Sequence, residues 1–466
     1  MYRFSIVLSL TLLAASTSIF ASVPPKGLTQ SHVEELLNSV EMDAPTRAAI
    51  NAVTNNDIKD LALNREVVAQ KDDIYSFKLP SESATNQESS GRCWMFAGLN
   101  LLRPSVIKKC DLDEFELSQS YLAFWDLLEK SNVFLEYVIE TRDRDVQDRE
   151  LVKQLDDPIG DGGYWGYVVN IIEKYGVVPK QFMGETRSSA NTGRMRYVLA
   201  TLLRRDAAGL RAYAKAGKSE EYLRTEKLQM LKDVMRVLVI NYGLPPSEFE
   251  WRTADSTGKV SDPITYTPQK FYSDVIGVDL TEYVSIASYP IHPFGKNYSI
   301  ATSRSMADKP EVTFVNIEAD QMKSLVLKAL LDSNRIWFGC DVGHEANSKK
   351  GLLVKGLYNY EELFGIKLDM TKEERLDYRS ETSNHAMVFE GVDIVDGKPR
   401  KWLIQNSWGK DVGDDGFFAM SDEWFDEYVL NVIIPKQYLP AEILNIAKQT
   451  PTQLPVWDPV WKSLGL

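Results

Sequence analysis

Cysteine and histidine are scarce in this chain: three cysteines and four histidines in 466 residues. So few cysteines exclude a disulfide-stapled scaffold. An odd count in an exported chain leaves at least one free thiol to account for. Cys110 and Cys340 could pair, although a buried free thiol is the commoner fate. No H-x-x-x-H motif or paired Cys/His cluster occurs, which agrees with chemistry that uses neither a metal nor an organic cofactor. Dense Lys/Arg runs are missing too. Acidic residues outnumber basic ones 66 to 53, a net charge of −13, which argues against nucleic acid and anionic lipid as partners. Past the first 22 residues no apolar run is long enough to span a bilayer, and no repeat or low-complexity tract stands out.

What is present is the material of a large packed core: 44% hydrophobic and 11% aromatic residues, which excludes a disordered chain. Residues 1–21 read as a secretory signal. Arg3 supplies the positive start, Ile6–Ala15 the apolar stretch and Ser18–Ala21 a small-residue cleavage site near Ala21. No cysteine follows it, so a lipid anchor is not expected. The mature protein is therefore expected to be exported, periplasmic or secreted, and soluble.

Lys26–Asn56 is polar and helix-leaning, with Val33, Leu36, Leu37 and Val40 in a 3-4 rhythm and a start signal at Thr29–Ser31. The polar stretch Ser81–Gly91 opens onto Cys93–Leu102, a buried helix with the cysteine in its first turn. Pro104 should end or kink that helix. Arg194–Asn241 reads as helical, with Leu228, Leu231, Met235 and Leu238 as its packing stripe. After Ile336 the pattern turns β-rich. His385–Asp393 and Lys401–Asn406 read as a hairpin turning at Asp396-Gly397. With a two-residue turn His385 faces Trp408 and Asn406 faces Met387, so His385 and Asn406 become diagonal neighbours on one face.

These residues compose a nucleophilic site. Cys93, at a helix N-terminus, sits where a thiolate is favoured. His385 is the best base of the four histidines because only it has a locally placed polar partner, Asn406, to orient the ring. Gln87 could turn an amide toward the oxyanion alongside the Cys93 backbone N–H. Trp408 could cover the Asn–His bond from water. Singly each residue has a plainer reading: core thiol, structural histidine, turn cap, solvated loop amide. Their joint occurrence in the order Gln, Cys, His, Asn favours the site.

Asn86–Ala97, Ser383–Met387 and Gln405–Gly409 resemble the three active-site motifs of papain-type cysteine peptidases, and more narrowly those of the bleomycin hydrolase and bacterial aminopeptidase C family. Asp161–Trp165, Glu173–Pro179, Trp337–Gly343, Thr371–Arg375, Ser421–Tyr428 and Trp457–Pro459 extend the likeness from about Leu61 onward. From Cys93 to His385 is 385 − 93 = 292 residues, against roughly 130–150 in the papain signature. The family carries the excess as inserted hook and helical segments.

The resemblance implies an α+β fold: a two-lobed papain-like core, a largely helical insertion and a C-terminal arm entering the cleft. The segments expected are signal 1–21, helical arm 22–60, Cys93 lobe 61–193, insertion 194–300, β-rich lobe 301–440 and arm 441–466. It also implies hydrolysis of N-terminal residues from peptide substrates in a homohexamer, with catalytic Cys93, His385, Asn406 and Gln87. Substrate would be bound by Gly162, Gly163, Trp408 and the terminal carboxylate of Leu466. Family members are commonly intracellular and end on a shorter tail, so the export signal and Val460–Leu466 are departures. An endopeptidase or another Cys–His–Asn acyl-transfer enzyme would share the triad. A binding module would not need all four positions filled.

Overall fold

The computed structural model describes residues 26–462. The expected export signal and the tail Ser463–Leu466 lie outside the described residues. The chain divides between Leu61 and Ala62.

In the first unit, Lys26–Asn56 forms two helices, Gln30–Asn38 and Ala44–Val53, rather than one run. Thr29 starts the first: its hydroxyl accepts the His32 N–H, and His32 Nδ1 accepts the Thr29 N–H. Asp43 caps the second, with a proline in the first turn, where a missing N–H costs nothing. No residue of either helix is buried.

The second unit is α+β. One sheet runs, in spatial order, Thr452–Leu454, Lys296–Ile300, Thr313–Asn316, Tyr283–Ala287, Val429–Pro435, Ile336–Cys340, His385–Val395, Lys398–Gln405, Phe417–Ser421, Leu352–Leu353 and Ala346–Asn347. Phe77–Lys78 adds to the outer half of the His385 strand. The sheet thus takes strands from both sides of residue 300. Ile336–Cys340 is buried at every position, as a strand covered on both faces must be. Helices Cys93–Cys110, Gln119–Glu140 and Trp165–Tyr175 share one hydrophobic core with Ala386, Val388 and Trp337. A second core, containing Met387, Phe389, Trp402 and Trp424, fills the other face of the sheet. Alternate residues of the His385 strand feed the two cores, as a period of two dictates.

Three expectations need correction. The Cys93 helix does not stop at Pro104 but runs to Cys110 and ends at Asp111, whose φ is 52°. Leu102 and Val106, fully buried on either side, hold the turn whose backbone bond proline forfeits. Arg194–Asn241 is two helices, Gly193–Lys215 and Glu220–Tyr242, broken where Gly217 takes φ 76°. Of the expected stripe, Leu238 is buried and Leu231 and Met235 pack half-buried on the core; the stripe is completed by Leu223, Val234 and Tyr242, whereas Leu228 is 59% exposed. At 3.6 residues per turn Leu228 lies about 90° round the helix from the centre of that stripe. All three cysteines are unpaired. No helix among the described residues is long and apolar enough to cross a membrane.

Candidate active site

The hairpin delivers His385 and Asn406 as its turn chemistry demands. Asp396 and Gly397 both take positive φ, 52° and 76°, the signature of a two-residue type I′ turn. Pairing starts in the expected register at Val395 with Lys398, slips by one residue near Asp393, and slips back between Gly391 and Phe389. The two irregularities cancel. His385 Nε2 therefore meets Asn406 Oδ1 at 2.7 Å, with both residues buried. That bond commits Nε2 as donor and leaves Nδ1 for other work.

Cys93 is the first residue of its helix and lines one cleft, of about 140 Å³, with Gln87, Gly162, Gly163, Asn384, His385 and Ala386. The helix terminus does not by itself make a thiolate. Burial pushes the Cys93 thiol up to about 11, against the backbone N–H groups of Ala386 and Trp94, which favour the anion. A helix N-terminus supplies at most about 2 kcal/mol, too little to reverse that burial. Burial likewise drags the His385 imidazole down to about 4, while the Asn406 bond pulls it up. Neither group ionises alone at neutral pH. Passing the thiol proton to the ring creates opposite charges in one cleft, and each offsets the other's desolvation.

Gln87 is buried and bound on both sides: its Nε2 donates to Ser90 O at 2.7 Å and its Oε1 accepts the Ser407 hydroxyl at 2.7 Å. Its second amide hydrogen remains to face the cleft. Trp408 stacks on His385, centroids 4.6 Å apart and planes at 28°. It therefore covers the ring and is not one of the residues lining the cleft. At Gly163 an added Cβ would lie 2.7 Å from both the Trp94 and Tyr167 rings, so only glycine lets that segment lie against the Cys93 helix. Leu466 lies outside the described residues. Of the other histidines, His292 pairs with Asp458 at 3.1 Å, and His344 stacks on Tyr428 and bonds Ser380 O at 2.9 Å.

Residues 27–461 match the peptidase C1-like family. The chain belongs to that family. It is 38% identical over 440 residues to aminopeptidase C of Lactobacillus helveticus, covering 93% of this chain and 98% of that one. It is 35% identical over 446 residues to human bleomycin hydrolase, again covering 93% and 98%. Among solved structures, pepw of Lactobacillus rhamnosis HN001 superposes with a TM-score of 0.91 at 37% identity, covering 93% of this chain and 98% of that chain. The fold is papain-like.

Two of the residues that hold the reactive groups in place were not singled out from sequence. The buried Lys130 ammonium donates to Asp126 at 2.7 Å and to the carbonyls of Gly160 and Gly162 at 3.2 and 2.6 Å. It also lies 5.4 Å from the Trp94 ring centroid and 5.3 Å from that of Tyr167. Lys130 thus pins the glycine segment from below, next to the Cys93 helix. Asp161 pins it from the side. Its carboxylate accepts the Gly91 N–H at 2.8 Å and pairs with Arg196 at 2.8 Å, and its carbonyl accepts Trp94 Nε1–H at 2.9 Å. Burial opposes ionisation here, but Arg196, Thr192 and Gly91 outweigh it and hold Asp161 below the ordinary carboxylate range. Among the described residues no group of three or more His, Cys, Asp or Glu is placed to hold a metal ion.

Proposed function

We propose that the protein is a papain-like cysteine aminopeptidase that removes N-terminal residues from peptides through a Cys93 thioester. His385 takes the thiol proton and returns it to the leaving amine. Asn406 holds the ring and stabilises its cationic form. Gln87 Nε2 and the Cys93 backbone N–H stabilise the oxyanion. Gly162 and Gly163 present backbone to the substrate, and the Leu466 carboxylate meets its ammonium group.

The observation that carries the reading is the 2.7 Å bond between His385 Nε2 and Asn406 Oδ1, made on the wall of the cleft that also holds Cys93 and Gln87. Removal of single residues is supported by relatives named aminopeptidase C that align over almost the whole chain. The family resemblance supports a homohexamer, and Arg3 followed by the apolar run to Ala15 supports export with cleavage near Ala21. A net charge of −13 favours peptides over nucleic acid as partners.

The test is product analysis by mass spectrometry on one unlabelled decapeptide and its N-acetylated twin. Sequential loss of single N-terminal residues from the free peptide alone, abolished by Cys93→Ala, is the expected result. Internal fragments appearing first from both peptides would make the enzyme an endopeptidase.

A further inference from the structure

One polar side chain in the cleft has no part in the reaction as described. Asn431 is only 9% exposed, yet it lines the cleft with Cys93, His385 and Gly163. Among the described residues no hydrogen bond occupies its amide, and neither amide atom is sealed from solvent: the group opens on the cleft, free to bond what enters it.

The sheet shows how Asn431 is aimed. Val429 opposes Cys340 and Asn431 opposes Gly339, so Leu430 is the extra residue of a β-bulge. Bulges re-aim side chains beside active sites; in unbroken register Leu430 would face Gly339. Asn431, Gly339 and Ala386 then lie side by side on three neighbouring strands. A Cβ added at Gly339 would lie 2.3 Å from Asn431 Oδ1 and 2.9 Å from Ser383 Oγ. A side chain at 339 would collide with Asn431 Oδ1, which already stands over the glycine, with Ser383 Oγ on the same side. The two oxygens thus sit beside Gly339, about one strand spacing, roughly 4.8 Å, from Ala386, whose backbone N–H favours the Cys93 thiolate. In an aminoacyl thioester the α-nitrogen is three bonds from sulfur, about 3–4 Å, and comes within reach of these oxygens.

We propose that Asn431 Oδ1, with Ser383 Oγ, accepts hydrogen bonds from the α-ammonium group of the substrate's first residue and so selects peptides with a free N-terminus. This rests on the aminopeptidase reading and deepens it. An ammonium brings three donors and cannot be buried without acceptors. An acylated amine brings one donor and no charge, and so satisfies the two oxygens less well.

The experiment compares wild type, Asn431→Leu and Asn431→Asp on leucine 4-nitroanilide and its N-acetyl form. Alkylation of Cys93 by iodoacetamide reports the thiol separately. Asn431→Leu should lower kcat/KM for the free amine about 10- to 100-fold, the loss of a charge-assisted hydrogen bond, chiefly through KM. Alkylation should stay within twofold. Asn431→Asp, which keeps the acceptor and adds charge, should match or exceed wild type on the free amine. If Asn431→Leu does not fold, the aspartate variant decides alone: a tenfold loss in it overturns the proposal. Asn431→Leu staying within threefold of wild type also overturns it. A wild type that ignores leucine 4-nitroanilide but cuts the N-acetyl form removes the aminopeptidase reading first, and this proposal with it.

Discussion

Replacing Asn406 by alanine separates orientation from proton transfer. Burial pulls the His385 imidazole down to about 4 and the bond to Asn406 opposes that pull. Deleting the acceptor therefore lowers the ring's proton affinity further and shrinks the population of the thiolate–imidazolium pair. A hydrogen bond to a charged group contributes about 1.5–3 kcal/mol, and each 1.36 kcal/mol is tenfold. Reactivity at a given pH should then fall about 10- to 100-fold. The loss should stop short of that in His385→Ala, because Trp408, 4.6 Å from the imidazole centroid, still limits the ring's motion and the proton acceptor is intact. The assay is the rate of Cys93 alkylation by iodoacetamide between pH 4 and 9, together with kcat on leucine 4-nitroanilide. Asn406→Ala should depress the reactivity below pH 8, and His385→Ala should abolish it. An Asn406→Ala profile lying on the wild-type curve, or a kcat loss equal to that of His385→Ala in folded protein, would refute the assignment of roles.

Lys130→Met should raise KM about tenfold by freeing the carbonyls of Gly160 and Gly162, and should cost about 3–5 kcal/mol by stranding the Asp126 carboxylate. Adding Asp126→Leu should recover stability in urea denaturation but not KM, and recovery of both would make Lys130 merely structural. Glu390 is buried beside Arg335 at 2.7 Å, and burial lifts its carboxyl from 4.5 to about 7 despite that partner. The folded state thus holds this proton more tightly than the unfolded chain does. Stability from this group is full below pH 4.5 and is lost as pH rises through 7, by about 3 kcal/mol at 1.36 kcal/mol per tenfold. Glu390→Gln should flatten that dependence between pH 4.5 and 8 in urea denaturation; an unchanged pH slope would contradict it.

Local chemistry made the hairpin legible. A favoured turn dipeptide placed Asn406 beside His385 even though the ladder slips twice on the way, because the slips have opposite sign. The cysteine helix was legible from its apolar density, but its length was not, since Pro104 is overruled by burial that no local rule registers. Leu228 was misjudged because a 3-4 rhythm fixes a stripe without fixing which side of it faces a neighbour. Lys130 resembled any charged residue in a long helix, because the carbonyls it binds come from another segment 30 and 32 residues on. Asn431 depends on a bulge and on a strand pairing with Gly339, and neither leaves a mark within a few residues of sequence.

The separation of Cys93 from His385 also sets a schedule. The nucleophile leaves the ribosome 292 residues ahead of its base, about 15–60 s earlier at 5–20 residues per second. The His385 strand sits between Ile336–Cys340 and Lys398–Gln405, and Val429–Pro435 flanks the former. No N-terminal fragment ending before the last of these strands can complete the cleft. The growing chain therefore carries its thiol in an unactivated state, and peptidase activity becomes possible only once Val429–Pro435 has been made.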